Sequence, residues 1–180
     1  EYNMGIRTVR TEGDECLRKV CKPVKSVSLR TRILIEDMFD TMYESGGVGL
    51  AAPQIGVIKR IVVMDTDDNQ HVLINPQILE VSGEQTGYEG CLSIPGKSGI
   101  VTRPDYVKVK ALNERGEEYV LEGEGLLARC ICHECDHLDG ILYSDKAEGG
   151  LINNEDLPED EEEELYEDAY EEFTEEEIHK

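Results

Sequence analysis

No stretch of this 180-residue chain stays apolar for more than a handful of residues, so none is long enough to span a bilayer. The N-terminus, Glu1-Tyr2-Asn3-Met4-Gly5, lacks the basic start and apolar core of a secretory signal. It is also too poor in Arg for a transit peptide. Bases are scarce: 18 Lys and Arg stand against 40 Asp and Glu, for a net charge of −22. Nothing forms the basic stripe that nucleic acid demands. No internal repeat is evident. The glycine-rich stretch around Gly46 to Gly56 lacks the Gly-Lys-Ser/Thr ending of a phosphate cradle. These absences argue against a membrane protein, a nucleotide binder and a direct nucleic-acid partner. The expected compartment is the cytosol, or an organelle after processing.

What is present divides unevenly. Residues 1–154 hold 25 acids and 17 bases, net −8, whereas residues 155–180 hold 15 acids and one Lys, net −14. Most of the acidity therefore belongs to a tail. The length suits one domain with an ample core, and the expected organisation is a single domain over residues 1–150 followed by an acidic segment, 151–180. Six cysteines sit at positions 16, 21, 91, 130, 132 and 135. A disulfide-stapled secreted chain is usually far shorter and carries a signal peptide, so these thiols are read as reduced. Three of them crowd into Cys130-Ile131-Cys132-His133-Glu134-Cys135, beside two histidines.

Ser28 is placed to cap a helix from Leu29 to Met42, with Leu34, Ile35, Met38, Phe39 and Met42 at helical spacing and Gly46-Gly47 ending it. A loop is expected from Gly47 to Gly56, its glycines permitting close backbone approach to a ligand. The run Arg60 to Met64 reads as a strand, paired with His71–Asn75 across an Asp-Asp-Asn-Gln turn. Further strands are expected at 77–81, 101–102, 106–112 and 118–121. A second helix should begin near Gly123, run through His133 and His137, and stop at Leu138-Asp139-Gly140. Strands dominate the middle, flanked by helices that do not alternate with them. That order argues for an α+β fold, not a doubly wound parallel sheet.

His133-Glu134-Cys135-Asp136-His137 matches the pattern H-E-x-x-H. Residues four apart on a helix lie on one face about 6 Å apart, so both imidazoles can reach one metal ion. Glu134 sits roughly 100° around from His133, close enough to serve as general base toward a water there. With four His and 27 Glu in the chain, chance alone would produce this match in roughly one such chain in a hundred. A catalytic site needs a third protein ligand and one open position. His179 and the tail glutamates lie downstream. Cys130, one turn before His133, shares its face. Cys91 lies between turn-forming residues in Glu89-Gly90-Cys91-Leu92-Ser93. Spacing favours Cys91 over Cys130 only modestly. Cys132 and Cys135 point off the ligand face, and a thiolate beside two imidazoles would suit Fe(II) as well as Zn(II).

Three segments, Gly47-Val48-Gly49-Leu50-Ala51-Ala52-Pro53-Gln54, Glu89-Gly90-Cys91-Leu92-Ser93 and His133-Glu134-Cys135-Asp136-His137, closely resemble the signature motifs of peptide deformylase. The resemblance extends from about Thr8 to Asp145 and includes Leu126-Leu127-Ala128-Arg129. It implies antiparallel and mixed sheets packed around a central metal-binding helix. It also implies removal of the N-formyl group from formylmethionine on newly synthesised polypeptides, with release of formate. Cys91, His133 and His137 would be the metal ligands. The family's physiological metal is Fe(II), with Zn(II), Ni(II) or Co(II) able to substitute. Glu134 would be the general base, with Gln54 and the Leu92 N–H binding the oxyanion. Gly49 would hydrogen-bond the peptide, and Val48, Gly90, Leu126, Cys130 and His133 would form the substrate pocket. The implied partner is the N-formylmethionyl nascent peptide, met transiently at the ribosome by a cytoplasmic, bacterial-type monomer.

Two features depart from the family. Cys132 stands where the family usually has Gln, which removes a contact behind the ligands and adds a thiol near an oxidisable metal; greater sensitivity to peroxide is expected. The tail is acidic where the family is often basic. There, Leu165, Tyr166, Ala169, Tyr170 and Phe173 form one helical stripe after Pro158, so an amphipathic helix packed on the body is expected. Two other readings are an H-E-x-x-H endopeptidase and a structural zinc module built from Cys130, Cys132, His133 and Cys135. One helix cannot wrap four such close residues around a tetrahedral ion.

Overall fold

In the computed structural model, which describes residues 5–158, the run Ile61-Val62-Val63-Met64 is fully buried. It lies in the second strand, β2 (Ile61–Thr66), between β1 (Gly49–Ala51) and β3 (Asn69–Ser82). Successive strand residues face opposite sides, and here both sides are covered. Ile61 and Val63 pack with Leu34, Ile35, Met38 and Met42 of helix α1 (Leu29–Glu44). Val62 and Met64 pack with Ala128, Ile131 and Leu138 of helix α2 (Gly125–Leu138). Truncating a side chain such as Ile131, which is 0% exposed, would cost about 2–5 kcal/mol.

The remaining strands are β4 (Gln85–Cys91), β5 (Ile94–Arg103), β6 (Tyr106–Leu112), β7 (Glu118–Glu124) and β8 (Glu148–Asn153). Five form one antiparallel sheet in the order β1-β2-β3-β6-β7; the other three form a second, β4-β5-β8. This is the α+β arrangement expected, with α2 against the larger sheet. A third apolar cluster of Leu17, Ile94, Val101, Leu142 and Tyr143 supports the smaller sheet. No helix among the described residues is long and apolar enough to cross a membrane.

Ser28 caps α1 as expected, its hydroxyl accepting from the Thr31 N–H, a contact worth about 1 kcal/mol. Four local expectations change. The segment expected as a loop from residue 47 contains β1 and a 3-10 turn, Ala52–Ile55. The turn after β2 is only Asp67-Asp68, both at positive φ, with Thr66 opposite Asn69. The two strands expected at 71–75 and 77–81 are one strand, β3, interrupted by a register shift after Ile74. Pro76 has no N–H to continue the ladder, and the Asn75 side chain instead makes two 2.8 Å hydrogen bonds with the Val24 backbone. The second helix starts at Gly125, because β7 continues to Glu124.

At its end, Gly140 adopts φ +72°, and a Cβ there would stand 2.5 Å from the Arg18 carbonyl oxygen, so only glycine fits. The domain boundary expected at residue 150 falls inside β8, and Leu157 beyond it is buried. The helix expected across Leu165 to Phe173, and His179, lie outside the described residues.

Candidate active site

The first turns of α2 are apolar and hold the helix on the sheet, which directs His133 and His137 toward the end of β4. There Cys91 closes the site from the other sheet. The Cys91 sulfur and one nitrogen from each imidazole lie within 4.8 Å of one another. Cys91 Sγ is 3.4 Å from His137 Nε2, and the two imidazole centroids are 5.1 Å apart. One soft sulfur and two borderline nitrogens at this spacing suit a divalent transition metal. Both histidines are buried. Burial and the neighbouring His133 hold His137 well below the usual histidine pKa, so its ring is neutral and offers a lone pair.

Glu134 is buried beside them, with Oε1 4.0 Å from His133 Nε2. Its other oxygen, Oε2, has no hydrogen-bond partner among the described residues. A buried, unpaired carboxylate oxygen is costly, so its presence beside three metal-ligand atoms fits a water and an ion between them. Burial raises the Glu134 carboxyl to about 7, with His133 acting in the opposite direction. A base near neutrality is well matched to taking up and returning a proton.

Gln54 comes from the 3-10 turn after β1. Its Oε1 accepts from the Ala51 N–H at 2.9 Å, which directs Nε2 to Ser93 Oγ at 3.1 Å and Cys91 Sγ at 3.6 Å. This donor therefore faces the site by construction. Gly49 lies against the far wall, where a Cβ would come within 2.8 Å of both Cys130 Sγ and Glu134 Oε1.

A cleft of about 660 Å³ opens over these groups. Val48, Gly49, Gly90, Leu92, Leu126 and Cys130 all line it, as do Gln54, Cys91, His133 and Glu134. Of the residues expected in the site, His137 alone sits behind the lining, at 1% exposure. Val48 and Leu126 are 47% and 46% exposed and form an apolar rim.

Sequence reasoning passed over the carboxylate behind the ligands. Glu89, two residues before Cys91, meets His133 Nδ1 at 2.5 Å, which leaves Nε2 for the site. The same carboxylate accepts from Arg103 at 3.1 and 2.7 Å and from Arg129 at 2.6 Å. Burial alone would raise its pKa, but hydrogen bonds from His133 and Arg103 outweigh burial and hold it far below the usual carboxylate range. Arg103 also binds Asp136 at 2.6 Å, and Tyr143 stacks on the His133 ring. Glu89 and Arg129 stand within recognisable segments, yet their meeting depends on pairing between distant strands.

The other thiols are elsewhere. Cys132 and Cys135 are buried in the cluster formed with Cys21 and Leu138, and among the described residues they join no group of metal-ligand atoms. The alternative grouping of Cys130, Cys132, His133 and Cys135 is therefore not formed. Burial raises the Cys132 pKa, and a buried, protonated thiol reacts poorly with peroxide. That removes the basis for the expected peroxide sensitivity.

Residues 6–150 match the family model described as polypeptide deformylase. A peptide deformylase of Agathobacter rectalis is 60% identical over 148 residues, covering 82% of this chain and 94% of that protein. The crystal structure of peptide deformylase from Thermotoga maritima matches with a TM-score of 0.78 and 42% identity, over 79% of this chain and 98% of that one. A Met-Ala-Ser-bound class I type b peptide deformylase from Acinetobacter baumannii matches at 0.76 and 36% identity, over 78% and 98% of the two chains.

Proposed function

The chain belongs to the polypeptide deformylase family, a hydrolase that removes the N-formyl group from formylmethionine on nascent polypeptides, and from that premise we propose how its residues divide the work. Cys91, His133 and His137 would hold a single divalent ion, Fe(II) in the cell, and the same donors would accept Zn(II), Ni(II) or Co(II). Such an ion supplies a Lewis acid that brings the pKa of water from 15.7 to about 7.

The protein's own groups carry the proton and the charge. Glu134 takes a proton from the attacking water and delivers it to the departing amine, a poor leaving group without it. Its carboxylate, with Oε1 4.0 Å from His133 Nε2 and Oε2 unpartnered, is the group available for this transfer. As the formyl carbonyl gains charge, Gln54 Nε2 and the Leu92 N–H donate to the oxygen; one such donor is worth about 3–4 kcal/mol. Gly49 binds the substrate main chain, and its missing Cβ leaves room for that approach. The methionine side chain enters between Val48, Gly90, Leu126, Cys130 and the His133 ring. A formyl carbon bears only hydrogen, so close walls admit it and exclude acetyl.

The site is complete within one chain, in keeping with a monomer. Its substrate is the N-formylmethionyl peptide, met transiently at the ribosome in a bacterial-type cytoplasm or, after processing, in an organelle.

The observation that carries this reading is the close set of Cys91, His133 and His137 beside an unpaired Glu134 oxygen. Release of formate from formyl-Met-Ala-Ser, with metal content measured on the same samples, tests it. Glu134→Ala should keep the metal and lose turnover by several orders of magnitude. Retained turnover would remove Glu134 from the mechanism, and cleavage of the unformylated peptide would point to an endopeptidase.

A further inference from the structure

Residues 151–158 follow the family match, which ends at residue 150, yet they help to build the cleft. β8 ends at Asn153, and the chain then turns through a short 3-10 segment, Asn154–Asp156, to Leu157. From this stretch, Asn154 and Leu157 line the cleft that also holds Cys91, His133 and Glu134. The turn itself is exposed, but Leu157 is buried.

The turn is fixed from β5. Lys97 pairs with Asn153 and Ser98 with Ile152, and Ser98 Oγ donates to Asn154 Oδ1 at 2.6 Å. Ser98 is 3% exposed, and a buried hydroxyl without a partner is costly, so this bond holds Asn154 in place. The Leu157 N–H donates to the Asn154 carbonyl at 3.1 Å, which sets Leu157 relative to Asn154. On its other side Ser98 adjoins the site: a Cβ on Gly90, the residue before Cys91, would stand 3.9 Å from Ser98 Oγ. Strand spacing gives the reach. The smaller sheet runs β4-β5-β8, with Cys91 at the end of β4, so the β8 backbone lies two spacings, about 10 Å, from that of β4. This is too far to touch a formyl group beside Cys91. An extended peptide advances about 3.4 Å per residue, which brings its second and third residues to this distance.

We propose that Leu157 is a specificity-determining residue, the apolar wall against which the side chains following formylmethionine bind, and that Ser98 and Asn154 are positioning residues that hold it there. The inference rests on the deformylase reading of the cleft and extends it to the second and third residues of the substrate. Ser98 and Asn154 satisfy each other at this edge, so the contact that the turn offers a peptide is the Leu157 side chain. Chains with an aliphatic second or third residue are favoured over chains with small polar residues there.

Formate release by the metal-loaded full chain from formyl-Met-Leu-Leu, formyl-Met-Ser-Ser and formyl-Met amide tests the wall. The native protein should show a KM roughly tenfold lower for the leucine peptide than for the serine peptide, and Leu157→Ala should remove most of that difference with kcat little changed. Ser98→Ala and Asn154→Ala should each raise KM for the leucine peptide several-fold, whereas Asn154→Asp, which keeps an acceptor for Ser98, should stay near native. Formyl-Met amide ends at the methionine, so all the variants should process it as the native protein does. Calorimetric titration with the products Met-Leu-Leu and Met-Ser-Ser reads the same preference as an affinity, without turnover. A failure of deformylation and a failure of the wall are therefore separate results. A Leu157→Ala protein that keeps the native preference would overturn the proposal. So would a loss of equal size on all three substrates, the mark of a merely structural role.

Discussion

Replacing Glu89 by glutamine keeps the shape of the side chain and removes its charge. In the native protein this carboxylate serves His133, Arg103 and Arg129 at once, and it is 7% exposed. Removing one member of a buried ion pair costs about 3–5 kcal/mol, because the surviving charge is left without compensation. Here Arg103 keeps Asp136 at 2.6 Å and Arg129 keeps the Val101 carbonyl at 3.1 Å, so the lower end, about 3 kcal/mol, is the better figure. At about 2–4 °C per kcal/mol for a domain of this size, Tm should drop by roughly 6–12 °C. The second consequence is at the site. His133 Nδ1–H then meets a neutral amide whose single oxygen must also serve Arg103 and Arg129, and weakening of the partner that turns Nε2 to the site lowers metal affinity about 10- to 100-fold. Chelator competition reads the affinity, and thermal unfolding at saturating metal reads the fold. The pH dependence has a definite sign. The folded Glu89 value lies below its ordinary 4.5, so its contribution is complete above 4.5 and is lost as pH falls further; E89Q should flatten that acid loss. An E89Q protein that binds metal within twofold of native and melts within 2 °C of it would refute this account of the network.

Gly49→Ala would place a methyl 2.8 Å from Cys130 Sγ and Glu134 Oε1, displacing the base by a fraction of an ångström; kcat/KM should fall about 100-fold with the far-UV circular dichroism unchanged. The acid limb of kcat/KM should reflect Glu134, which burial raises to about 7. The base must be deprotonated to act, so the rate falls as pH decreases. A bound cation draws that limb down toward the ordinary 4.5, and a rate that climbs into acid would exclude Glu134 as base. Cys132 packs with Cys21, Cys135 and Leu138 away from the cleft, so Cys132→Ser should leave the half-life in peroxide unchanged within twofold; slower inactivation would mean peroxide reaches that thiol.

The two helices were legible in the sequence. Ser28 and the apolar positions that follow mark one, and the His133–His137 spacing marks the other and its ligand face, since both patterns depend only on neighbours within a turn or two. β6 and most of β7 were legible for a related reason, alternation over a few residues. β4, the first half of β5 and β8 were not. Ile94-Pro95-Gly96-Lys97-Ser98-Gly99 and Glu148-Gly149-Gly150 carry little strand preference, and they are strands because they pair with one another.

Within the site, sequence alone determined that two imidazoles share one helix face with a carboxylate about 100° around from the first, because the 3.6-residue repeat requires it. It could also name Cys91 through the resemblance of its segment. Only the tertiary structure decided that the Cys91 sulfur reaches those rings from 42 and 46 positions away, and that Glu89 stands behind His133 between Arg103 and Arg129. Those meetings follow from two sheets closing around α2, which spacing along the chain does not encode. They persist because a charge taken out of water must find its counterpart wherever the packing brings one.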